Sequence, residues 1–185
     1  ETLREEIRGL EQETEALRSD PLAIETAIVP HSPELIREAV EYELDRGGQV
    51  YYVFNRIAGI GEMAARLQEI CGEARIVVGH GQLEEGELAR RMHAFKDREY
   101  DVLLATTIIE NGIDIPNVNT MIVHHAERFG LAQLYQLRGR VGRSSQLAYC
   151  YLLVPSAGTL TEAARQRLQA IREFTELGAG FRVAA

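Results

Sequence analysis

Between residues 22 and 154, short apolar runs of β-forming residues alternate with stretches of helical periodicity, and this limits the fold more than any other feature of the chain. Strands are expected over residues 22–29, 49–54, 74–78, 101–105, 120–123 and 148–154. Helices are expected between them over 33–45, 60–70, 84–95 and 131–137, with a last one over 161–177. Val102-Leu-Leu-Ala105 has no polar face, as expected of a strand covered on both sides. Strand and helix repeating at this spacing give βαβ units, a parallel sheet and right-handed crossovers. Ser32 stands where a helix N-cap belongs, and Pro33 follows in the first turn, where its absent N–H costs nothing. Gly47-Gly48 stops that helix. The expected class is α/β, a parallel sheet sandwiched by helices.

Two stretches carry chemistry as well as architecture. Residues 133–144 read Gln-Leu-Tyr-Gln-Leu-Arg-Gly-Arg-Val-Gly-Arg-Ser, with Arg138, Arg140 and Arg143 interleaved with glycine and apolar residues. A guanidinium is permanently charged, and its planar fork matches phosphate oxygens. Gly139 and Gly142, directly before two of these arginines, let the backbone approach a bulky anion. The plainer reading is a helix end capped by glycine, its dipole stabilised by the arginines. In residues 101–118 an apolar strand runs into Thr106-Thr107 and then a turn rich in Asn, Gly, Asp and Pro. Ligands of open α/β sheets bind at the carboxyl ends of strands, where these two hydroxyls fall. Gly112-x-Asp114-x-Pro116 sets a carboxylate on a constrained loop, suited to a sugar hydroxyl or a metal-bound water. The plainer role for Thr106 and Thr107 is to cap a short following helix.

Together these stretches resemble motifs V and VI in the second motor domain of superfamily 2 helicases and translocases. The run from Glu127 to Ser144 is similar to the branch that contains the RecG helicase and the bacterial transcription-repair coupling factors. Residues 46–56, 106–116 and 168–181 are similar to the coupling factors in particular, and the resemblance spans roughly residues 22–183. It implies a RecA-like fold and a site in which ATP with Mg²⁺ is shared with a second, P-loop-bearing RecA-like domain of the same protein. Neither Gly-x-x-x-x-Gly-Lys-Ser/Thr nor an Asp-Glu-x-x box occurs here, so this chain alone is not expected to bind ATP productively.

The family pattern carries over residue by residue. It makes Arg143 the arginine finger, with Arg140 as a second γ-phosphate contact and Gln136 as the link from nucleotide to domain interface. Arg138 takes a local ion-pairing role outside catalysis. Gly112 falls at the nucleotide-facing turn, and Asp114 near the ribose or the opposing domain. Thr106 and Thr107, Asn55 and Arg56 after the second strand, and His80 and Gly81 after the third become nucleic-acid contacts. For His80 the alternative is an ordinary packed or solvated side chain. Residues 172–183 resemble the beginning of the branch's translocation motif. The whole protein is expected to translocate on double-stranded DNA and displace stalled RNA polymerase. Other domains would engage the polymerase and excision-repair proteins. The alternatives are the equivalent domain of a RecG-like branched-DNA helicase, or a non-catalytic RecA-like interaction module.

Composition qualifies this picture. With 20 Lys and Arg against 28 Asp and Glu the formal charge is −8, so the body of the chain repels a polyanion and most DNA affinity is expected to come from other domains. Cys71 and Cys150 are isolated and suit a reducing, cytoplasmic setting. No apolar run approaches the ~20 residues of a membrane span, and no secretory leader is read at the start. His124-His125 is not expected to bind metal, because neighbours on a strand point to opposite faces. Three units are expected. Residues 1–20 form an amphipathic helix carrying Leu3, Ile7, Leu10 and Leu17, residues 21–158 the RecA-like domain, and 159–185 a terminal helix with the start of the translocation motif.

Overall fold

The computed structural model describes residues 24–107, 114–156 and 159–176, with side chains as far as Glu173. The helix expected over 1–20, Gly112 and residues 177–185 lie outside the described residues. Six strands form one sheet: β1 (Ile24–Pro30), β2 (Gln49–Val53), β3 (Ile76–Gly79), β4 (Val102–Ala105), β5 (Val118–Val123) and β6 (Ala148–Val154). Their order across the sheet is β1-β6-β5-β2-β4-β3, and every pairing is parallel. Five α-helices connect or follow them: α1 (Pro33–Asp45), α2 (Ile60–Cys71), α3 (Glu85–Lys96), α4 (Leu131–Arg138) and α5 (Glu162–Glu176).

Right-handed crossovers dictate which face each helix covers. The chain moves across the sheet in one direction through α1 and α2, and in the other through α3 and α4. One face therefore packs Ile36, Val40, Met63 and Leu67 of the first two helices against Val50, Tyr52, Leu104 and Tyr151. The opposite face packs Phe95, Leu134, Leu137 and Leu168 against Tyr51, Leu103, Met121 and Cys150. Each large apolar side chain buried in this way contributes roughly 1.5–3 kcal/mol. The N-cap of α1 forms as expected, Ser32 Oγ accepting from Leu35 N at 3.4 Å.

Most boundaries shift by one or two residues from the sequence reading, β3 running from Ile76 to Gly79 where 74–78 was expected. The first strand runs from Ile24 through Pro30, its tail extended by pairing to Val154. The fourth starts at Val102, since the Asp101 carboxylate is held by Arg75, accepting from its backbone N at 2.8 Å and from Nη2 at 2.9 Å. The fifth begins two residues early, at Val118, and so takes in Asn119, whose polarity in the sequence suggests a turn. Asn119 and Thr120 are both buried and both satisfied by distant partners. Ser144 Oγ donates to Asn119 Oδ1 at 2.8 Å, and Thr120 Oγ1 donates to Glu43 Oε2 at 2.7 Å. Glu43 is itself buried on α1 and receives Arg46 Nε at 2.8 Å. A Cβ on Gly48 would sit 1.8 Å from Glu43 Oε1, so the turn after α1 admits only glycine there without displacing this carboxylate.

Candidate functional site

The expected residues separate into two groups at opposite ends of the strands. The first lies at the carboxyl ends. Because β2, β4 and β3 are adjacent in the sheet, the residues leaving them form a row. Phe54 N donates to Ala105 O at 2.8 Å and Thr106 N to Gly79 O at 3.3 Å, which ties the three exits together. Asn55 and Arg56 leave β2 exposed, and His80 and Gly81 follow β3. The His80 ring accepts from Gln82 N at Nδ1, 3.2 Å away, which leaves the ring proton on Nε2. Thr106 is nearly buried and Thr107 half-buried at the end of β4. Residues 108–113, where the helix these threonines were expected to cap would lie, are outside the described residues.

Beside this row lies a hollow of about 620 Å³ between the exits of β2 and β5, walled by Phe54, Arg56, Met63, Arg66, His125 and Arg128. The chain leaves β2 for α2 on one face of the sheet and leaves β5 for α4 on the other. The hollow is therefore the crevice at the sheet's topological switch point, where open α/β sheets receive ligands. His124 and His125 do not diverge as expected of strand neighbours. They follow β5, and His125 takes φ +50°, which brings the two rings to 4.4 Å in an edge-to-face pair. Burial, with His125, His31 and two arginines nearby, pushes His124 down to about 3. The Tyr52 hydroxyl lies 2.9 Å from His124 Nδ1, and burial raises that phenol well above its ordinary value. The phenol thus stays protonated and shares a hydrogen bond with a neutral imidazole.

The second group lies at the amino ends of β5, β6 and β1. Helix α4 ends at Arg138 and the chain tightens, with Arg140 N bonded to Leu137 O and Val141 N to Arg138 O. Val141 is buried as an anchor. Gly142 has φ +82°, and a Cβ there would meet Ile24 Cγ1 at 2.9 Å. The chain then returns with Arg143 projecting: its Nη1 lies 3.3 Å from Asp114 Oδ1, and its Nη2 donates to Gly139 O at 3.5 Å. Two residues expected from separate motifs therefore meet. Both side chains are about half exposed, so the pair contributes no more than about 1 kcal/mol and exchanges readily for another partner. Tyr51, buried in β2, lies under the same cluster. Burial raises its phenol, Asp114 adds to the rise, and Arg140 and Arg143 oppose it. Gln136 is exposed on α4, one turn before the loop. Arg138 is turned inward: its guanidinium is buried, donates to Ile171 O at 2.6 Å and lies 5.2 Å over the Tyr135 ring.

Arg66 and Arg128 were not among the residues expected from sequence. Both are exposed, Arg66 on α2 and Arg128 in the turn after β5, where an arginine is unremarkable until the fold brings it to the hollow. Tyr51 was missed for a related reason, since in a wholly apolar strand its hydroxyl carries no local signal. The described residues contain no group of three His, Cys, Asp or Glu side chains arranged to hold a metal.

Comparison with known proteins agrees with this fold. Residues 32–145 match the family described as the helicase conserved C-terminal domain. Over 161 residues the chain is 51% identical to a transcription-repair-coupling factor of Staphylococcus epidermidis and 52% identical to one of Staphylococcus aureus. These alignments take in 87% of this chain but only 14% of each relative, so the chain spans about a seventh of their length. The structure of RecG bound to a three-way DNA junction superposes with a TM-score of 0.67 at 38% identity, over 86% of this chain and 22% of that one. Saccharomyces cerevisiae Dbp5 bound to RNA and ADP BeF3 shares the fold, with a TM-score of 0.63 at 18% identity over 84% of this chain and 40% of that one.

Proposed function

The chain belongs to the helicase conserved C-terminal domain family, and from that membership we propose that it is the second motor domain of an ATP-driven double-stranded DNA translocase of the transcription-repair coupling type. The observation that carries the reading is the meeting of Arg143 with Asp114, in a loop held by Val141, Gly142 and Ser144. A binding scaffold has no need of an exposed guanidinium held on a rigid turn.

ATP with Mg²⁺ would be bound mainly by the P-loop domain of the same protein, which supplies the metal and the phosphate cradle. The contribution of this chain is electrostatic. Arg143 exchanges Asp114 for the γ-phosphate and offers N–H donors to the oxygens on which charge accumulates during transfer. Arg140, from the same loop, adds a second fixed positive charge. Asp114, once released, is free to accept from a ribose hydroxyl or from the opposing domain. Gln136 faces outward next to this loop and can report nucleotide state across the interface. Gly112 takes the nucleotide-facing turn in the same proposal.

The row at the carboxyl strand ends suits the DNA backbone. Thr106 and Thr107 offer hydroxyls and amides, Asn55 and Arg56 a donor pair, and His80 and Gly81 a ring N–H and a close backbone approach. On this reading hydrolysis at one end of the sheet changes the grip on DNA at the other. Displacement of stalled RNA polymerase and recruitment of excision-repair proteins would fall to other domains of the whole protein, as the name of the Staphylococcus relatives suggests. No helix among the described residues is long and apolar enough to cross a membrane, which accords with action in the cytoplasm. A RecG-like branched-DNA helicase is the second reading, favoured by the structural likeness at 38% identity.

The test is DNA-stimulated ATP hydrolysis by this domain joined to its P-loop partner. Arg143→Ala should lower kcat on the order of 10²-fold or more while nucleotide binding is largely kept. Unchanged hydrolysis would remove the catalytic role and leave a RecA-like interaction module.

A further inference from the structure

The hollow at the switch point is not used by the reading above beyond its rim at Asn55 and Arg56, yet its charge is unusual for this molecule. Three guanidiniums, Arg56, Arg66 and Arg128, line it on a chain whose net charge is −8. Glu62 is the only carboxylate in the lining among the described residues. Arg56 and Arg66 make no ion pair or side-chain hydrogen bond among the described residues. Arg128 reaches only Glu127, at 3.8 Å, and that carboxylate is already engaged by His125 Nδ1 at 3.1 Å. Surface arginines on an acidic body ordinarily find carboxylates, as Arg75, Arg90 and Arg91 do here. Three like charges against one lining carboxylate repel one another, and the arrangement is favourable when an anion sits among them. The N-terminus of α2 at Gly59 opens on the same hollow and adds its partial positive charge.

We propose that this hollow is a phosphate subsite for the backbone of duplex DNA, with Arg66 and Arg128 as its main ligands beside Arg56. The assignment rests on the DNA-translocase reading, and it extends the contact surface from the row at β2, β4 and β3 across to the exit of β5. Phosphate chemistry could equally be met by a free phosphate or pyrophosphate. Continuity decides for DNA: Asn55 and Arg56 belong at once to the hollow and to the row, so a strand lying on the row runs its backbone past Arg66 and Arg128. Phe54, Met63 and Phe129 line the same hollow and give a deoxyribose an apolar surface to rest on.

The experiment uses the isotope-labelled full chain, followed by NMR while a short DNA duplex or, separately, inorganic pyrophosphate is added. The duplex should shift the amides of Gly59, His125 and Arg128 and the side-chain Nε–H signals of Arg66 and Arg128. In parallel, Arg66→Gln with Arg128→Gln should weaken duplex binding on the order of tenfold in fluorescence anisotropy and reduce the salt slope by about one or two. Arg37→Gln with Arg165→Gln removes the same charge away from the hollow and should change affinity less than about twofold. Shifts confined to residues 80–81 and 106–107 would overturn the hollow and leave the DNA reading standing. Hollow signals that move with pyrophosphate but not with duplex would overturn the DNA assignment in favour of a free phosphate. No shift anywhere would sink both. Arg66 and Arg128 are exposed, and an unchanged amide spectrum of the variant will show that it folds.

Discussion

Arg143 is held in position by the residue before it. Gly142 sits at φ +82°, a conformation that L side chains rarely adopt, and its α-hydrogen faces Ile24 where a methyl group would lie 2.9 Å from Cγ1. Gly142→Ala therefore combines backbone strain with a contact that β1 must yield to. It is expected to cost about 1–3 kcal/mol, seen as a lower urea midpoint with an unchanged m value. Little of this shows in the sequence, because a glycine before an arginine reads the same whether its φ is positive or negative. His125 illustrates the limit more sharply. Nothing in His-His announces a left-handed φ at the second residue, so the expectation that the two rings diverge failed for a conformational reason that local pattern does not encode.

At the level of elements, β6 was legible over its whole span and β2 and β4 to within one residue, each being buried along its whole length. The start of β5 was not legible because Asn119 and Thr120 draw their partners from Ser144 and Glu43, residues a single-strand reading cannot connect. The same reasoning applies to α4. Arg138 was expected to pair close by, and nothing local announced that its guanidinium also links α4 to α5 through the Ile171 carbonyl. Replacing it by leucine removes a charge-assisted bond and leaves a buried carbonyl without that donor, at a cost of about 1–3 kcal/mol. The loss should concentrate in α5. Amide hydrogen exchange over residues 162–173 is expected to quicken in Arg138→Leu while α1 keeps its protection. Equal acceleration in both helices would mean that Arg138 supports the fold globally and not the α4–α5 junction.

For the whole molecule, the motif residues divide between the two ends of one rigid sheet, and that division was only half readable. Asn55, His80 and Thr106 lie at carboxyl strand ends, while the arginine cluster gathers at the amino ends, away from where open α/β sheets usually receive ligands. Such a placement makes sense for a surface that completes another domain's site. The histidines set a pH response of the entire fold. His31 and His124 both lie below their ordinary value, chiefly through burial. The unfolded chain thus binds protons near pH 6.5 that the folded chain refuses, so this stability is complete above pH 6.5 and is lost as pH falls toward the folded values. Carboxylates held low, such as Asp101 and Glu87, titrate beneath this window. Between pH 7 and pH 5 the loss, discounted for solvent screening of the partly exposed rings, is on the order of 1 kcal/mol, or about 2–4 °C in Tm. His124→Gln should flatten that slope, and an unaltered slope would assign it to other groups.

The pairing of β1 with β6 also governs how the chain acquires its shape as it is made. Ile24 finds its ladder partner at Ala148, and among the described residues β1 pairs with no other strand. At the usual pace of synthesis, 5–20 residues per second, roughly 6–25 s pass between the two. For that interval an apolar edge segment exists without the backbone that will take up its amides and carbonyls, and four further strands emerge before its partner does. The sheet is thus closed from its β3 edge toward β1, and its first-made strand is among the last to be secured.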